Sequence, residues 1–430
     1  MTRFFKALTL PTSVWAVLIV VFLVIGFLVG YFIPRPTAPG APAVSGLPKE
    51  IPIGVLVALS GAYGSYGVRE EAAAKLAEKD INDFVSRLGL DVRFVFYYED
   101  YATKPDVALQ KAQALAARGV KVIVGGLISG ATKAIASYAE ANKIVVITGS
   151  STAARKDVAP PAGFVFRVLP SVEAEGVATA NLILSLGIRN VMIISPEESY
   201  SLSFRDAFVN ASRSMGLNVV ADLTFPTDTK DFNPLIDSME RAAAPYLDRK
   251  EMIAVVANTW EDHATVLLTQ ANARNSPLLK LLWFASDTLP LSTVVIEQVG
   301  PIAERVKLIG GLFTGAASKT ADHVRSYMLS TLGQEPTVYA YATYDAAWIA
   351  ALAVLLAGRY DGDAIRTAVP LAAKIYWGAT GNIEFNDVGD RSYADMIFYG
   401  VVGGKWTPVA LYRVLENKFY WLTTIEVPKL

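Results

Sequence analysis

The chain has 430 residues, of which 53% are hydrophobic, and a formal net charge of −1. This length can bury a large core and predicts two domains, while the balanced charge gives no reason to expect a nucleic-acid partner or an acidic disordered protein. With no cysteine and only two histidines, His263 and His323, the sequence excludes or nearly excludes disulfides, thiol catalysis and zinc sites of the Cys/His kind.

The N-terminal region predicts a membrane anchor. Residues 14–33 carry no charge, and this run is long enough to cross a hydrocarbon layer of about 30 Å as one helix. Arg3 and Lys6 precede it, so residues 1–13 are expected to be a cytoplasmic stub and everything after the run to lie outside the cytoplasm. A cleaved signal peptide is the competing interpretation, although its apolar region usually has only about 7–15 residues. The proline-rich residues 34–49 predict an extended linker.

From residue 51 onward, short apolar runs alternate with helical patterns. Such alternation predicts a parallel sheet covered on both faces. In the first half, strands are expected at 53–59, 92–98, 120–124 and 144–147, with helices at 70–88, 105–118 and 132–141. The pattern restarts after Pro170 with helices at 172–186, 203–215, 234–244 and 263–273 and strands at 191–195, 218–223, 253–257 and 281–284. This restart predicts a second α/β lobe.

The last part of the chain departs from this alternation. Residues 344–356 predict an apolar helix, and residues 363–369 a short one. Residues 381–411 are rich in strand and turn signals, with Gly403 and Gly404 able to form a hairpin turn.

Two polar loops, each between an apolar run and a helical pattern, are the clearest functional signal. One covers residues 125–132 and the other residues 148–153, and both are rich in glycine, serine and threonine. Each loop places free backbone N–H groups and small hydroxyls at a helix N-terminus, which attracts an anion without a basic side chain. Loops at the carboxyl ends of neighbouring strands in an α/β sheet mark a ligand site. The sequence therefore predicts a site for a small carboxylate.

Catalytic motifs do not fit the same loops. A phosphate-binding loop needs lysine directly after its second glycine, where Ala131 stands, and the spacing around Ser129 is wrong for a hydrolase nucleophile. His263 follows Glu261 and Asp262, a pattern typical of acidic residues at the start of a helix. We therefore expect no enzyme activity, no catalytic residue, no metal site and no cofactor.

With these elements in place, the chain resembles the branched-chain amino-acid binding proteins. The resemblance runs from about residue 51 to about residue 412. It rests on the order of several short stretches, namely 53–56, 59–61, 66–67, 77–82, both loops, 344–346, 378–386 and 389–391. These proteins are extracytoplasmic receptors of ABC importers with a type I periplasmic-binding fold. The resemblance implies two Rossmann-like α/β lobes with parallel sheets, joined by hinge strands and here preceded by one transmembrane helix.

The resemblance also implies which residues hold the ligand. Ser129, Ser150 and Thr152 correspond to the groups that hold the α-carboxylate, and Asp287 to the acid that holds the α-amino group. The aromatic pocket positions are Tyr66, Tyr200 and Trp260. Each has a structural alternative: the serines, the threonine and Asp287 can cap the helices that follow them, the last near residue 289, and the aromatic residues can pack in the core.

The resulting hypothesis is a membrane-anchored solute receptor. One lobe is expected to comprise residues 50–170 and 313–385, and the other residues 171–312 and 386–430. The ligand is an amino acid, branched-chain or otherwise apolar, which the closing lobes trap and deliver to an ABC permease. The alternatives are a sensory ectodomain, or a receptor for an amide, urea or a carboxylate on the same fold.

Overall fold

The computed structural model describes residues 46–161, 163–247, 253–314 and 318–423. The predicted cytoplasmic stub, the predicted anchor at 14–33 and all but the end of the predicted linker lie outside these residues.

The first five strands form one parallel sheet with the order β2-β1-β3-β4-β5. They are β1 (Glu50–Val57), β2 (Arg93–Asp100), β3 (Val122–Gly125), β4 (Val145–Thr148) and β5 (Val165–Arg167). The intervening helices are α1 (Gly64–Arg87), α2 (Pro105–Ala117), α3 (Ser129–Asn142) and α4 (Arg155–Val158). The predicted alternation of buried strands with helices is confirmed in this part of the chain.

Helix α1 begins at Gly64, earlier than the residue 70 that the sequence pattern predicts. Gly64 and Gly67 both lie in the first turn of the helix. A Cβ atom on Gly67 would lie 1.9 Å from the carbonyl oxygen of Ala58. Glycine at this position therefore lets the start of α1 pack directly against the chain leaving β1.

The second sheet has eight strands in the order β15-β14-β13-β10-β9-β8-β6-β7. Its parallel strands are β6 (Asn190–Pro196), β7 (Asn218–Phe225), β8 (Ile253–Ala257), β9 (Leu282–Ala285) and β10 (Ile309–Phe313). Between or before them come α5 (Val172–Ser185), α6 (Ser199–Met215), α7 (Asn233–Leu247), α8 (Glu261–Ala273) and α9 (Thr293–Arg305).

The second sheet also contains three strands that pair with their neighbours in antiparallel fashion. β13 (Met396–Val402), β14 (Lys405–Arg413) and β15 (Lys418–Trp421) extend it in antiparallel fashion beside β10. The predicted hairpin joins β13 to β14, where Gly403 and Gly404 both have positive φ angles of 59° and 70°. Short turns between consecutive strands force the antiparallel direction, because a parallel pair needs a long crossover.

Three late helices return to the first sheet. They are α10 (Lys319–Leu332), α11 (Val338–Ala357) and α12 (Gly362–Ile375), followed by a small hairpin of β11 (Trp377–Gly378) and β12 (Gly381–Asn382). α11 packs against α1, α12, β3 and β4. In the described part of the chain it is also the one helix whose length and apolar composition would suffice to span a membrane, and 67% of its most apolar stretch is buried within the protein.

We call the first sheet with α1–α4 and α10–α12 the first lobe, and the second sheet with α5–α9 the second lobe. The chain crosses between the lobes after β5, after β10 and after β12. The first and third crossings run side by side: the backbone N–H of Arg167 donates to Gly389 over 3.0 Å, and that of Arg391 donates to Arg167 over 3.0 Å. These paired crossing segments are the connection about which the lobes would move.

Candidate functional site

A closed cavity lies between the two lobes. The loops after the strands of the first sheet, together with α1 and α11, form one wall, and the segments after β6 and β9 form the other. In this closed arrangement its volume is about 20 Å³, room for one or two water molecules. The lining residues are Ala58, Tyr63, Glu70, Tyr101, Gly126, Ile128, Ser129, Ser150, Thr152, Tyr200, Asp287 and Tyr339. None of them is basic.

The two polar loops meet at this cavity, as their positions after neighbouring strands predict. The backbone N–H of Gly149 donates to the carbonyl of Gly125 over 3.0 Å. The Ser129 hydroxyl accepts the N–H of Ala153 over 3.1 Å. The loops therefore form one continuous surface at the N-terminus of α3, where helix geometry favours an anion or another hydrogen-bond acceptor.

Helix capping does not account for the polar residues of these loops. The N-cap of α3 is Ile128 and that of α4 is Ala154, and neither helix receives a side-chain cap. Ser129 instead bridges to the second loop, and the hydroxyl of Thr152 makes no hydrogen bond within the described residues. The capping alternative for these residues is wrong.

Ser150 is already engaged by a residue that the sequence analysis missed. Its N–H donates to the Thr148 hydroxyl over 3.2 Å, and its own hydroxyl donates to the carboxyl of Glu70 on α1. Glu70 is 3% exposed. Burial raises the pKa of Glu70 to about 7, although the hydrogen bond from Ser150 and the charge of Arg69 oppose the shift. Glu70 lies four residues after Tyr66, on the same face of α1, and this spacing is the signal that could have found it.

Gly126 leaves the space that the Glu70 carboxyl occupies. A Cβ atom at Gly126 would lie 1.7 Å from Oε2 of Glu70. That oxygen accepts no hydrogen bond within the described residues, whereas Oε1 accepts from Ser150. Oε2 of Glu70 therefore lies beside the loop that leads into α3, without a hydrogen-bond partner among the described residues.

The second wall presents Asp287, directly after β9. Asp287 is 2% exposed, and its Oδ2 atom has no hydrogen-bond partner within the described part of the chain. Burial raises the pKa of its carboxyl to about 6, although hydrogen bonds from the Tyr200 and Tyr339 side chains oppose the shift. Capping does not explain this residue either, because α9 begins at Thr293 and its N-cap is Ser292, whose hydroxyl accepts the N–H of Val295. An unpartnered buried acceptor calls for a donor from a ligand.

A second acid lies behind Asp287. The backbone N–H of Asp287 donates to Oε1 of Glu175 over 2.8 Å, and the Tyr200 hydroxyl lies 3.4 Å from both Glu175 oxygens. Glu175 is fully buried. Burial, and then the neighbouring charge of Asp287, raise the pKa of Glu175. Glu175 therefore holds its proton more firmly than an exposed glutamate and fixes the segment that carries Asp287.

The predicted aromatic positions differ in their relation to the cavity. Tyr200 lines it at the start of α6, whereas Tyr66 and Trp260 do not. Trp260 meets the ring of Tyr63 edge-on, with centroids 5.8 Å apart, and stacks on His263. The aromatic lining instead includes Tyr63, Tyr101 and Tyr339, which the sequence analysis missed.

Hydrogen bonds join the two lobes across the mouth of the cavity. The Tyr66 hydroxyl donates to the carbonyl of Thr288 over 2.7 Å. On the opposite side, the N–H of Ala154 donates to the Ser203 hydroxyl over 2.6 Å. The Tyr339 hydroxyl also donates to the backbone carbonyl of Asp287 over 3.3 Å. The described arrangement is therefore the closed one.

Among the described residues, neither a histidine nor a candidate group of metal ligands lines this cavity. No group of three His, Cys, Asp or Glu residues suited to a metal occurs in residues 46–161, 163–247, 253–314 and 318–423. His263 is buried, with Nε2 2.9 Å from the carbonyl oxygen of Thr227. The arrangement is suited to holding a small molecule between hydroxyls, helix N–H groups and carboxyls.

Comparison with known proteins agrees with this geometry. Residues 50–405 match the family described as periplasmic binding protein. An uncharacterised protein of Methanocaldococcus jannaschii is 28% identical over 86% of this chain and 91% of its own length. The leucine-, isoleucine-, valine-, threonine- and alanine-binding protein of Pseudomonas aeruginosa is 22% identical over 79% of this chain and 87% of its own.

Among solved structures, a leucine-binding protein from Thermotoga maritima superimposes with a TM-score of 0.70 at 19% sequence identity. The match covers 84% of this chain and 98% of that protein. The expected α/β fold of the type I periplasmic-binding proteins is thereby confirmed.

Proposed function

The chain belongs to the periplasmic binding protein family, and we propose that it is a membrane-anchored extracytoplasmic receptor that delivers an amino acid to an ABC permease. One observation carries this proposal. The cavity between the lobes offers uncharged donors on one wall and, on the other, the buried carboxyl of Asp287, whose Oδ2 atom has no hydrogen-bond partner among the described residues. A zwitterion carries the complementary groups.

The ligand carboxylate would bind at the first lobe. The Ser129 and Thr152 hydroxyls and the N–H groups at the start of α3 face the place where it would lie. A charge-assisted hydrogen bond of this kind contributes about 1.5–3 kcal/mol. Ser150 lines the same part of the cavity, where its hydroxyl donates a hydrogen bond to Glu70.

The ligand ammonium would bind at the second lobe. Asp287 supplies the opposite charge, and Tyr200 supplies a ring face beside it. An aromatic face adds about 0.5–2 kcal/mol for a cation and also covers an apolar side chain. The similarity to the Pseudomonas aeruginosa protein, which is named as binding leucine, isoleucine, valine, threonine and alanine, supports an apolar or branched-chain ligand. We assign Tyr66 and Trp260 to the support of the ring wall around Tyr63, outside direct contact.

Capture would proceed by closure of the lobes. The ligand meets the first lobe, and the second lobe then brings Asp287 and Tyr200 onto it. Ligand shifts this equilibrium only by the difference between its affinities for the closed and open forms. The bonds from Tyr66 to Thr288 and from Ala154 to Ser203 would form part of the closed state.

The proposal keeps the predicted organisation of the chain. Residues 1–13 would be cytoplasmic, 14–33 a single-pass anchor and 34–49 a linker. The lobes would comprise 50–170 with 313–385, and 171–312 with 386–430. The permease would dock on the outer surfaces of both lobes, and no nucleic acid takes part.

A receptor for an amide or for urea is the second candidate. The observation in its favour is Glu70, a carboxyl acceptor on the wall where an amino acid would place its own carboxylate. A neutral ligand with N–H donors at both ends would satisfy Glu70 and Asp287 together. A sensory ectodomain remains an alternative use of the same binding event.

A ligand screen separates these candidates. The purified full-length chain is tested by thermal shift, and then by calorimetry, against L-amino acids, their α-amides, urea, and the matching carboxylic acids without an amino group. We expect an amino acid to bind in the micromolar range, equivalent to about −8 kcal/mol. Binding of amides or urea without any amino acid would overturn the amino-acid assignment and favour the second candidate. Turnover of any bound compound would overturn the receptor role.

A further inference from the structure

We propose that Glu70 is itself a ligand-binding residue, which keeps its proton and donates it as a hydrogen bond to the carboxylate of the bound amino acid. This inference rests on the proposed function. It assigns a role to a residue that neither the loops nor the aromatic positions suggested.

The position of Glu70 places its carboxyl beside the predicted carboxylate site. Glu70 lines the cavity from α1, and its Oε1 atom accepts the hydroxyl of Ser150. Its Oε2 atom lies over Gly126, at the loop that leads into Ser129. A ligand carboxylate held by Ser129 and Thr152 would therefore lie beside Oε2 of Glu70.

The charge of a ligand carboxylate next to Glu70 favours the protonated form of Glu70. Two carboxylates in contact inside a buried site cannot both ionise without a nearby cation, because their repulsion is not screened by water. Among the residues that the structure describes, no lysine, arginine or histidine lines the cavity. Arg69 is the nearest cation by sequence, but its guanidinium lies 5.1 Å from the ring centroid of Tyr66, with Nε donating to the carbonyl of Ser65.

The groups that face Glu70 from the neighbouring elements complete this account. The loops after β3 and β4 contribute Gly126 and Ser150, which do not titrate. The ionisable groups around the cavity are Arg69 on the same helix, Tyr63 before it, Tyr101 after β2, Tyr339 on α11, and Tyr200 and Asp287 from the second lobe. Burial raises the pKa of each of these tyrosines, so all four stay neutral. Among these ionisable groups, Arg69 is the one whose charge favours an ionised Glu70, and the hydrogen bond from Ser150 acts in the same direction.

A protonated Glu70 can donate a hydrogen bond to the ligand carboxylate. With the ligand carboxylate present, the proton lies on Oε2 and is donated to a ligand oxygen, while Oε1 continues to accept from Ser150. An O–H···O⁻ bond of this type is short and strong. Burial already raises the pKa of Glu70 to about 7 in the ligand-free protein, so at neutral pH the proton is available at little cost.

The expected signature is binding that weakens in alkali. Above pH 7 the ligand-free protein loses the Glu70 proton, which binding must restore. The dissociation constant is therefore expected to rise about tenfold for each further pH unit. If the group facing Glu70 were instead an amine or an amide, binding would be unaffected or would strengthen over the same range. The sign of the pH dependence thus distinguishes the two ligand orientations.

The test is calorimetric titration of L-leucine into the full-length chain at pH values from 5 to 9, for the wild type and two variants. Glu70→Gln retains a donor and an acceptor but does not titrate. It is expected to bind leucine with an affinity that is flat above pH 7 and within about tenfold of the wild type at pH 6.5. Glu140→Gln is the control: this carboxyl accepts the N–H of Phe164 over 3.1 Å, away from the cavity, and its alkaline weakening should match the wild type.

Each outcome decides a different claim. Leucine binding that is independent of pH between 7 and 9, or an alkaline loss that persists in Glu70→Gln, overturns the role of Glu70 and leaves the receptor function intact. No leucine binding at any pH, together with binding of leucinamide, overturns the carboxylate orientation and the inference with it. Titration in two buffers of different ionisation enthalpy gives an independent readout, since about one proton should be taken up on binding at pH 8.

Discussion

Arg167 and Asp390 form a buried ion pair that joins the first and third crossings between the lobes. The Nε atom of Arg167 lies 2.6 Å from Oδ1 of Asp390, and Arg155 approaches the same oxygen at 3.1 Å. The Arg167 side chain is fully buried and the Asp390 side chain 4% exposed. The connection between the lobes is therefore held by charges that are almost completely buried.

Removing one partner of this pair should destabilise the whole protein. Asp390→Ala leaves Arg167 buried and uncompensated, which costs about 3–5 kcal/mol. The measurement is the free energy of unfolding in denaturant. Asp222→Ala is the control, because its pair with Arg205 is partly exposed and should contribute only about 0–1 kcal/mol. Equal losses in the two variants would mean that the buried pair has no special role.

Tyr66→Phe should favour the open form. The change removes the hydrogen bond from the Tyr66 hydroxyl to Thr288 across the lobes, a loss of about 0.5–1.5 kcal/mol. We expect the dissociation constant for ligand to rise about two- to tenfold and the radius of gyration of the ligand-free chain to increase in small-angle scattering. Tyr360→Phe removes bonds within the first lobe, to Pro52 and Lys121, and should lower stability without changing affinity.

The two polar loops should separate binding from stability. The Ser129 hydroxyl accepts the buried N–H of Ala153, so Ser129→Ala should cost about 1–3 kcal/mol of stability. Thr152→Val preserves shape and removes a hydroxyl with no other partner among the described residues, so it should weaken ligand binding about tenfold with a nearly unchanged melting temperature. A large drop in melting temperature for Thr152→Val would contradict a binding role.

Asp287 should control binding on the acid side. Burial raises its pKa to about 6, and a ligand ammonium needs the ionised carboxylate. Affinity for an amino acid is therefore expected to fall as the pH drops through 6, by about tenfold per unit once the carboxyl is protonated in the free protein. Asp287→Asn should weaken binding by tens-fold at pH 7 and abolish the loss of affinity below pH 6. Unchanged affinity in calorimetry would remove the assignment of Asp287 to the amine.

The sequence was informative wherever a buried strand leads directly to the site. The meeting of the loops around Ser129 and Thr152 follows from their positions after neighbouring parallel strands. The three antiparallel strands were visible only as a turn-rich segment, because their direction depends on the partner strand β10. The sequence pattern predicts the start of α1 at residue 70 instead of Gly64, because glycine disfavours a helix, whereas Gly67 here allows a close contact with Ala58.

Side chains brought together from distant segments were harder to predict. Glu70 stands beside Glu71 in an alanine-rich helix, where acidic residues usually face solvent. Its contact with Ser150 joins residues 80 positions apart. Trp260 and Tyr66 were placed near the ligand by resemblance, but the ring of Tyr63 stands between Trp260 and the cavity. The sequence predicts the strand ends well and the order of side-chain layers behind them poorly.

The position of α11 has a consequence for synthesis on the ribosome. α11 (Val338–Ala357) covers α1, β3 and β4, although all five strands of the first sheet emerge before any residue of the second sheet. During synthesis, the first sheet therefore keeps an uncovered apolar face until the intervening second lobe and then α11 have been made. A nascent chain stalled after β10 should bind chaperones through that face, and completion of α11 should release them.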